Sequence, residues 1–238
     1  MPQKAEYMNQ RQLVTAKEAA TGRMHATGDA AFIMDYFSKK SYYQYLHNQV
    51  VFHENQPVEE IACLIKGAAR ITRIINEKEF TLSIAGPGQI FGLEIFTDRA
   101  CFSHTLTTIE PSLFCFIRKQ EFKTAIRNDA SFALQLMKIM QREISRLEDR
   151  YNQLQYQSVQ ANIAALIIEC SSRRPDDLDK RNGYGVDVSD LADMARISES
   201  HLYRVLDEFS KKKYLQLAQK KVVVLNFEGL KSESVSGK

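Results

Sequence analysis

Seven cations and three anions lie between residues 196 and 221, so this stretch carries a net charge of +4. The whole chain of 238 residues has a net charge of only +3. The stretch holds two groups of lysines, Lys211–Lys213 and Lys220–Lys221, and an arginine at position 204. Lysines can neutralise phosphates, and the planar guanidinium of Arg204 can pair with guanine through two hydrogen bonds. The local charge is therefore compatible with contact with a nucleic acid, although the average charge gives no sign of it.

Two short helical patterns in tandem would position these cations. The first, SDLADMARI, is predicted to be capped by Ser189, and the second, SESHLYRVLDEFSKKK, by Ser198. A predicted β-hairpin follows around residues 218–221. Two helices joined by a three-residue turn and followed by a hairpin are typical of a winged helix-turn-helix.

The second helix is the predicted recognition helix, whose first turn would enter the major groove of DNA. Arg204 is the main candidate for reading a base, and Ser200 and His201 are weaker candidates. A solvated basic face would show the same charge, and only the added helix-turn-helix spacing favours DNA. The predicted DNA-binding residues are Ser189, Ser198, Glu199, Ser200, His201, Tyr203, Arg204, Lys211, Lys212, Lys213, Lys220 and Lys221.

From Val50 to Ile117 the chain consists of short β-rich segments separated by turn signals. Segments such as IACLIKG, AARITRII and SLFCFI recur at roughly the 8–12-residue spacing of a β-sandwich or barrel. Gly67 lies between two of the segments, and the triplet Gly86-Pro87-Gly88 marks another turn that interrupts the strand pattern. This region is therefore predicted to be a jelly roll.

A long helical pattern follows from Asp129 to about Gln157, with no glycine or proline inside it. Its apolar residues alternate at spacings of three and four, which form the seam of a coiled coil. Charged residues flank the seam, which favours pairing with a second copy over packing of a single amphipathic helix on its own barrel. The predicted dimer interface consists of Met137, Met140, Ile144, Leu147, Tyr151 and Leu154.

Composition and motifs exclude several classes of protein. The chain is 44% hydrophobic and 26% charged, as expected for a packed protein and not for a disordered one. It has neither the run of roughly 20 apolar residues of a membrane helix nor a secretion signal. The four cysteines show no metal-ligand spacing and are predicted to be reduced thiols of a cytoplasmic protein. We expect no metal, no cofactor and no catalytic residues, since GxSxG, P-loop and GxGxxG motifs are missing.

The order of jelly roll, long helix and winged helix-turn-helix resembles the cAMP receptor protein/FNR superfamily of bacterial transcription regulators. Three motifs between Tyr45 and Leu230 carry the resemblance: IACLIKGAARI, GPGQIFG and SESHLYRVL. They resemble the family's hairpin around a glycine, its P-G-x-x-F-G and its S-R-E-T-V-x-R-x-L. The resemblance implies a homodimer that binds double-stranded promoter DNA, a barrel that senses a small-molecule effector, and contact with RNA polymerase through residues 173–184.

The residues with which the family holds a cyclic nucleotide are replaced at the matching positions. The acidic residue after F-G falls on Leu93, one place before Glu94, and the phosphate-clamping arginine falls on Phe102. A cyclic phosphate needs a cation or a group of N–H donors, so we expect an effector other than cAMP. By resemblance, the effector pocket comprises Phe91, Gly92, Leu93, Glu94, Phe102, Ser103, Leu147 and Glu148.

The predicted recognition helix also departs from the family. Glu199-Ser200 replaces the common Arg-Glu pair, whereas the later arginine is kept as Arg204, so the operator should share only part of the usual half-site. Arg196 replaces the usual turn glycine, which requires a positive φ or a shifted turn.

Other effectors and functions stay open at the level of the sequence. The first cysteine is Cys63, so the N-terminal cysteines of the family's iron–sulphur branch are missing, and the histidines show no pattern for haem. Cys101 and Cys115 could form a redox pair, although packing is the default interpretation. Alternatives without DNA binding are a small-ligand-binding jelly roll and a cupin-type metalloenzyme, for which no HxH motif is present.

We therefore predict an α+β chain that acts as a homodimeric, sequence-specific transcription regulator and not as an enzyme. Its parts are an extension (1–28), a jelly-roll sensor domain resembling a cyclic nucleotide-binding domain (29–128), a dimerisation helix (129–157) and a winged helix-turn-helix domain (158–238). The polar extension is expected to be loosely held and partly helical. A helix is expected near its end, where Phe32, Ile33, Tyr36 and Phe37 recur at one-turn spacing.

Overall fold

The computed structural model describes residues 12–14, 36, 41–172 and 186–235. The fold mixes helices with antiparallel sheets, which confirms the predicted α+β class. The chain divides into two compact units. One consists of Met1–Glu79 and Ile84–Glu143, and the other of Phe80–Ser83 and Ile144–Lys238.

The predicted jelly-roll segments form two antiparallel sheets around one apolar core. Their strand orders are β1-β2-β9-β4-β7 and β3-β8-β5-β6. Fully buried Ile61, Leu64, Leu106, Phe114 and Ile117 lie in this core. The strands are β1 (Gln12–Val14), β2 (Ser41–Tyr45), β3 (Val50–Phe52), β4 (Glu60–Lys66), β5 (Ala69–Ile75), β6 (Lys78–Ala85), β7 (Ile90–Phe91), β8 (Thr105–Thr108) and β9 (Ser112–Arg118).

Gly67, between β4 and β5, shows why one of the predicted turns needs glycine. Its φ is +94°, a left-handed conformation that side chains other than glycine rarely adopt. A Cβ atom there would also lie only 2.8 Å from the Pro111 carbonyl oxygen. The close approach to the chain before β9 therefore fixes this residue type.

The described helices follow the sheets. They are α1 (Lys119–Asn128), α2 (Ala130–Tyr156), α3 (Val159–Ser172), α4 (Val188–Ala195), α5 (Glu199–Lys211) and α6 (Phe227–Val235). The short strands β10 (Val186–Asp187), β11 (Leu215–Ala218) and β12 (Lys221–Val224) form a third sheet in the order β10-β12-β11. Asp129 caps α2, because its Oδ1 accepts hydrogen bonds from the N–H groups of Ser131 (2.9 Å) and Phe132 (3.1 Å).

Gln12–Val14, within the extension expected to be loosely held and partly helical, form a strand. This strand pairs antiparallel with β2, with Leu13 opposite Tyr43. Without β1, the edge of β2 would expose unpaired backbone N–H and C=O groups, with which an extended segment can pair. The local sequence of residues 12–14 does not show that such an edge is within reach. Of the predicted helix at residues 32–37, only Tyr36 is described, and it is helical. The rest of that helix, the rest of the extension and the loop 173–184 lie outside the described residues.

Candidate nucleic-acid interface and effector pocket

The helix-turn-helix is formed by α4, the three residues Arg196–Ser198 and α5. Arg196 is the left-handed C-cap of α4, with φ 56°, and its N–H points to the carbonyls of Ala192 and Asp193. This confirms the positive φ expected where glycine is usual. The left-handed residue ends α4 and starts the turn into α5.

The two predicted N-caps have different outcomes. The Ser198 hydroxyl accepts a hydrogen bond from the His201 N–H at 3.3 Å, so Ser198 caps α5 as expected. The prediction for Ser189 is wrong, because α4 begins at Val188 and its N-cap position is held by Asp187, two residues before Ser189. The Val188 N–H donates instead to the Lys220 carbonyl of the hairpin at 3.0 Å. Backbone pairing from a distant segment has replaced the local side-chain cap.

The buried faces of α4 and α5 define the opposite, exposed face of α5. Leu191 and Met194 on α4, and Leu202 and Leu206 on α5, are buried together in their unit. The residues that remain exposed at the start and outer face of α5 include Glu199, Ser200, Tyr203, Arg204, Asp207 and Glu208. His201 is half-buried. The arrangement leaves the predicted base-reading side chains accessible.

The predicted phosphate-contacting lysines differ in their surroundings. Lys211 forms an ion pair with Asp207 and Lys212 with Glu233, each at 2.6 Å. The hydrogen bond to Asp207 raises the pKa of Lys211. Lys213 is exposed and follows the end of α5 in a left-handed conformation with φ 58°. Lys213 can therefore meet a phosphate without first breaking an ion pair to a described carboxylate.

The hairpin β11–β12 is the predicted wing. Its two-residue turn, Gln219-Lys220, has φ values of 50° and 64°, the conformation of the tight turns that match the strand twist. Lys220 is exposed at this tip and Lys221 is half-buried where β12 begins. β10 adds a third strand beside β12, with Asp187 opposite Lys221, which the sequence pattern did not indicate.

The predicted coiled-coil seam is solvent-exposed along α2. Met137, Leu147 and Tyr151 each leave more than 60% of their surface accessible, whereas Phe132 and Leu136, near the start of the helix, are buried. Met140 and Ile144 are also exposed, and Leu154 is half-buried. Packing among the described residues therefore leaves the seam uncovered. An exposed apolar stripe of this length is typical of a surface that a partner covers.

Four of the predicted pocket residues lie together near the 3₁₀ turn Leu93–Phe96. Gly92 begins this turn with φ +95°, and a Cβ there would approach the Glu60 carbonyl oxygen to 3.1 Å. Glu94 Oε1 accepts hydrogen bonds from the Ser103 N–H (3.0 Å) and hydroxyl (2.7 Å). A carboxylate of the chain itself thus occupies the donors that an anionic ligand would need.

Phe102, at the position of the family's phosphate-clamping arginine, stacks face to face on Phe52. Their ring centroids are 3.8 Å apart and the rings are 10° from parallel. Phe91 packs against Phe52 with centroids 5.7 Å apart. All three rings are buried. An apolar cluster therefore fills the place where a cation would be required to hold a cyclic phosphate.

His104 joins this cluster and extends the polar chain from Glu94. Its Nδ1 lies 3.0 Å from the Ser103 hydroxyl, which donates its proton to Glu94. Nδ1 must then carry the hydrogen, so Nε2 is the unprotonated nitrogen. Nε2 is buried and has no hydrogen-bond partner among the described residues. Burial lowers the pKa of His104, although Glu94 and Glu54 act in the opposite direction.

The other two predicted pocket residues, Leu147 and Glu148, are exposed on α2. Leu93 is half-buried in the 3₁₀ turn. Sequence reasoning missed Phe52 and His104, which complete the aromatic cluster. Phe52 lies in the β-rich segment QVVFHEN, but nothing in that segment indicates which ring it will meet.

The chain is similar to one family model and to several solved structures. The family model described as "Cyclic nucleotide-binding domain" matches residues 43–129. Among solved structures, FixK2 from Bradyrhizobium japonicum is 16% identical, with a TM-score of 0.67 over 84% of this chain and 99% of that one. A CRP-family transcriptional regulator from Thermus thermophilus is 17% identical, with a TM-score of 0.68 over 82% and 97%. The chain has the fold of the CRP/FNR transcription regulators. No curated protein matches the sequence significantly.

Another chain with this fold is the c-di-GMP responsive global regulator CLP of Xanthomonas campestris. It is 19% identical, with a TM-score of 0.63 over 82% of this chain and 98% of that one. The resemblance to the CRP/FNR superfamily, inferred from three short motifs, is therefore confirmed at the level of the fold. The neighbours are transcription regulators and not enzymes.

The four cysteines of this CRP/FNR-like chain, all within the described residues, form no disulfide bond. The redox pair considered from the sequence, Cys101 and Cys115, is not the one that the sheet aligns, because Cys115 lies opposite Cys63 in the β4–β9 register. Burial raises the pKa of the Cys63 thiol, and the nearby Cys115 raises it further. Cys63 is therefore held protonated, and a protonated thiol is a poor nucleophile.

Within the described ranges, no three histidine, cysteine or acidic side chains are grouped so that they could hold a metal ion. A cupin-type metal centre therefore has no support there. Nor does any helix in the same ranges have the length and apolar character to cross a membrane.

Proposed function

We propose that this chain is a homodimeric, sequence-specific DNA-binding transcription regulator that acts in the cytoplasm. The observation that carries the proposal is the capped recognition helix α5, whose outer face, with Tyr203 and Arg204, is exposed beside the lysine-tipped wing. Such a helix fits the major groove, and the flanking lysines fit phosphates. The CRP/FNR fold, matched over 84% and 82% of this chain in two solved structures, supports the same function.

DNA binding is tested by selecting duplexes from a random library with the purified full-length protein. We expect two inverted half-sites whose centres are about 10–10.5 bp apart, or a multiple of that, because a dimer presents two recognition helices. Binding to random duplex should weaken steeply with salt. Lys213→Ala should reduce the salt slope by about 1, whereas Lys78→Ala, which removes an exposed lysine of strand β6, should not. A protein indifferent to DNA at low salt would overturn the proposal.

The dimer is proposed to form through the exposed seam of α2. Burying six apolar side chains of each copy would remove the stripe from water, and hydrophobic burial is the main driving force of association. Leu147→Arg should shift the protein to monomer in sedimentation experiments. Asn152→Arg adds the same charge beside the seam and should leave the dimer intact. A wild-type protein that sediments as a monomer at micromolar concentration would contradict this part.

The barrel is proposed to sense an effector that does not present a cyclic phosphate. The aromatic stack of Phe52 and Phe102, and the use of Ser103 by Glu94, support this, because they leave neither a cation nor spare donors for an anion. Contact with RNA polymerase, which the family resemblance implies, is proposed for residues 173–184, outside the described residues. Polymerase recruitment assays with this loop replaced by a neutral linker test that contact.

A further inference from the structure

Arg150, near the end of α2, makes hydrogen bonds to three segments of its unit. Its Nη1 donates to Asn162 Oδ1 on α3 at 2.5 Å and to Gln153 Oε1 on α2 at 3.3 Å. Its Nη2 donates to the backbone carbonyl of Met194 on α4 at 2.8 Å. One guanidinium therefore joins α2, α3 and α4.

The acceptor on α4, the Met194 carbonyl, lies at the end of the helix, directly before the turn into α5. Met194 belongs to the last turn of α4, where carbonyls lack N–H partners within the helix and the helix dipole is negative. A cation is the natural partner there. The next residues are Ala195 and the turn Arg196–Ser198, which leads directly into α5. Arg150 is thus hydrogen-bonded to α4 immediately before the turn that leads into α5.

The acceptor on α3, Asn162 Oδ1, restrains the orientation of the Arg150 guanidinium. Asn162 is buried, and α3 packs against α4. Burial lowers the pKa of Arg150, while Glu169 opposes the effect, so the guanidinium is partly withdrawn from water. A partly desolvated cation is costly unless its N–H groups are paired. The planar guanidinium, with five donors in fixed directions, can reach two acceptors on different helices, which the single ammonium of lysine does poorly.

The covalent route from α2 to α4 is much longer than this contact. It runs through α3 and residues 173–187, a path of more than thirty residues from Tyr156 to Val188. A displacement of α2 would be attenuated along a chain of that length. Through Arg150 the same displacement reaches α4 across a single side chain.

We propose that Arg150 is the positioning residue that fixes the helix-turn-helix on the dimer helix and so sets the separation of the two recognition helices. The inference rests on the proposed DNA-binding function. It assigns Arg150 a role in the spacing of half-sites and none in contact with DNA. The DNA-contacting residues and the spacing residue are therefore separable by experiment.

The test uses duplexes carrying the selected half-sites at the selected spacing and at spacings changed by one and two base pairs. Full-length wild type should prefer the selected spacing by about tenfold or more, since a shift misplaces one recognition helix. Arg150→Met should bind the selected spacing about tenfold more weakly and lose most of that preference, while keeping its affinity for random duplex. Arg150→Lys should rescue only partly, because it restores the charge without the two-way geometry.

Arg146→Met is the matched control. Arg146 lies one turn earlier on α2, and its ion pair with Glu169 at 3.2 Å joins α2 to α3. This variant should keep the wild-type spacing preference. Thermal unfolding of each variant checks the fold, and Arg150→Lys carries the test alone if Arg150→Met does not fold.

The outcomes separate the two proposals. If wild type binds no DNA, the proposed function fails. If wild type binds but Arg150→Met and Arg150→Lys keep a sharp spacing preference, the positioning role fails while the function stands. If Arg146→Met blurs the preference as much as the Arg150 variants, the effect belongs to α2 in general and the assignment to Arg150 is overturned.

Discussion

The pocket of the barrel and the outer face of the recognition helix both depart from the family's motifs, but with opposite physical results. In the barrel, Phe102 stacks on Phe52 and Glu94 pairs with Ser103, so the substituted side chains satisfy one another. On α5, Tyr203 and Arg204 stay exposed. A concave site that loses its ligand-binding groups fills itself, because buried groups must find partners within the chain. A convex face can change residues and remain available to a ligand.

The largest expected difference between the two regions is in the free energy of unfolding of Phe52→Ala, in the barrel, and of Tyr203→Ala, on α5. Phe52 is 3% exposed and holds the stack with Phe102, so its truncation should lower the free energy of unfolding by about 3–5 kcal/mol. Tyr203 is 37% exposed, and its truncation should change stability by about 0.5 kcal/mol or less. Urea denaturation of both variants checks the difference. Equal losses would mean that the two regions are not organised differently.

The next effect concerns binding and not stability. Arg204→Ala should weaken binding to the selected operator by about 1–3 kcal/mol and relax the sequence preference at one base pair. Binding to random duplex should stay nearly unchanged, because a base-reading arginine contributes little there. Competition mobility shifts with both duplexes give the two affinities. An equal loss on both would reassign Arg204 to phosphate contact.

A smaller effect should appear in the pH dependence of stability. Burial depresses the pKa of His104 below its usual 6.5, so the unfolded chain binds the proton more readily than the folded one. The contribution is fully present above pH 6.5 and is lost as the pH falls below it, with a slope of at most about 1.4 kcal/mol per pH unit. Denaturation at pH 7.5, 6.5 and 5.5 should show the slope in wild type and a shallower one in His104→Phe. Identical slopes would show that His104 titrates normally.

The smallest expected effect is that of cAMP, which should not stabilise the wild-type protein. A ligand at a hundredfold excess over its Kd would add about 2.7 kcal/mol to the free energy of unfolding, an easily measured change. Thermal unfolding with increasing cAMP should instead give a constant Tm. A saturable rise would show that the filled pocket opens for a cyclic phosphate, and the contrast with the recognition helix would fail.

Short-range signals predicted the local structure well where it depends on neighbours in sequence. Ser198, three residues before His201, specifies the start of α5, and the positive φ, one of two expectations for Arg196, marks the end of α4. The three- and four-residue spacing predicted the exposed stripe of α2. The same reasoning failed at Ser189, because the Lys220 carbonyl of the hairpin, more than thirty residues away, satisfies the start of α4.

For the strands between Val50 and Ile117, the helix α2, and α4 and α5 with their hairpin, the sequence by itself therefore determined the type of element, the order and the apolar face, since these depend on periodicity and on residues a few positions apart. Only the tertiary structure decided that Phe52 stacks on Phe102 and that Arg150 meets Met194. These partners are more than forty residues apart, and no local pattern encodes which of many compatible side chains will meet. The folded topology selects them, because a buried ring or a desolvated guanidinium is stable only where complementary groups are brought to it.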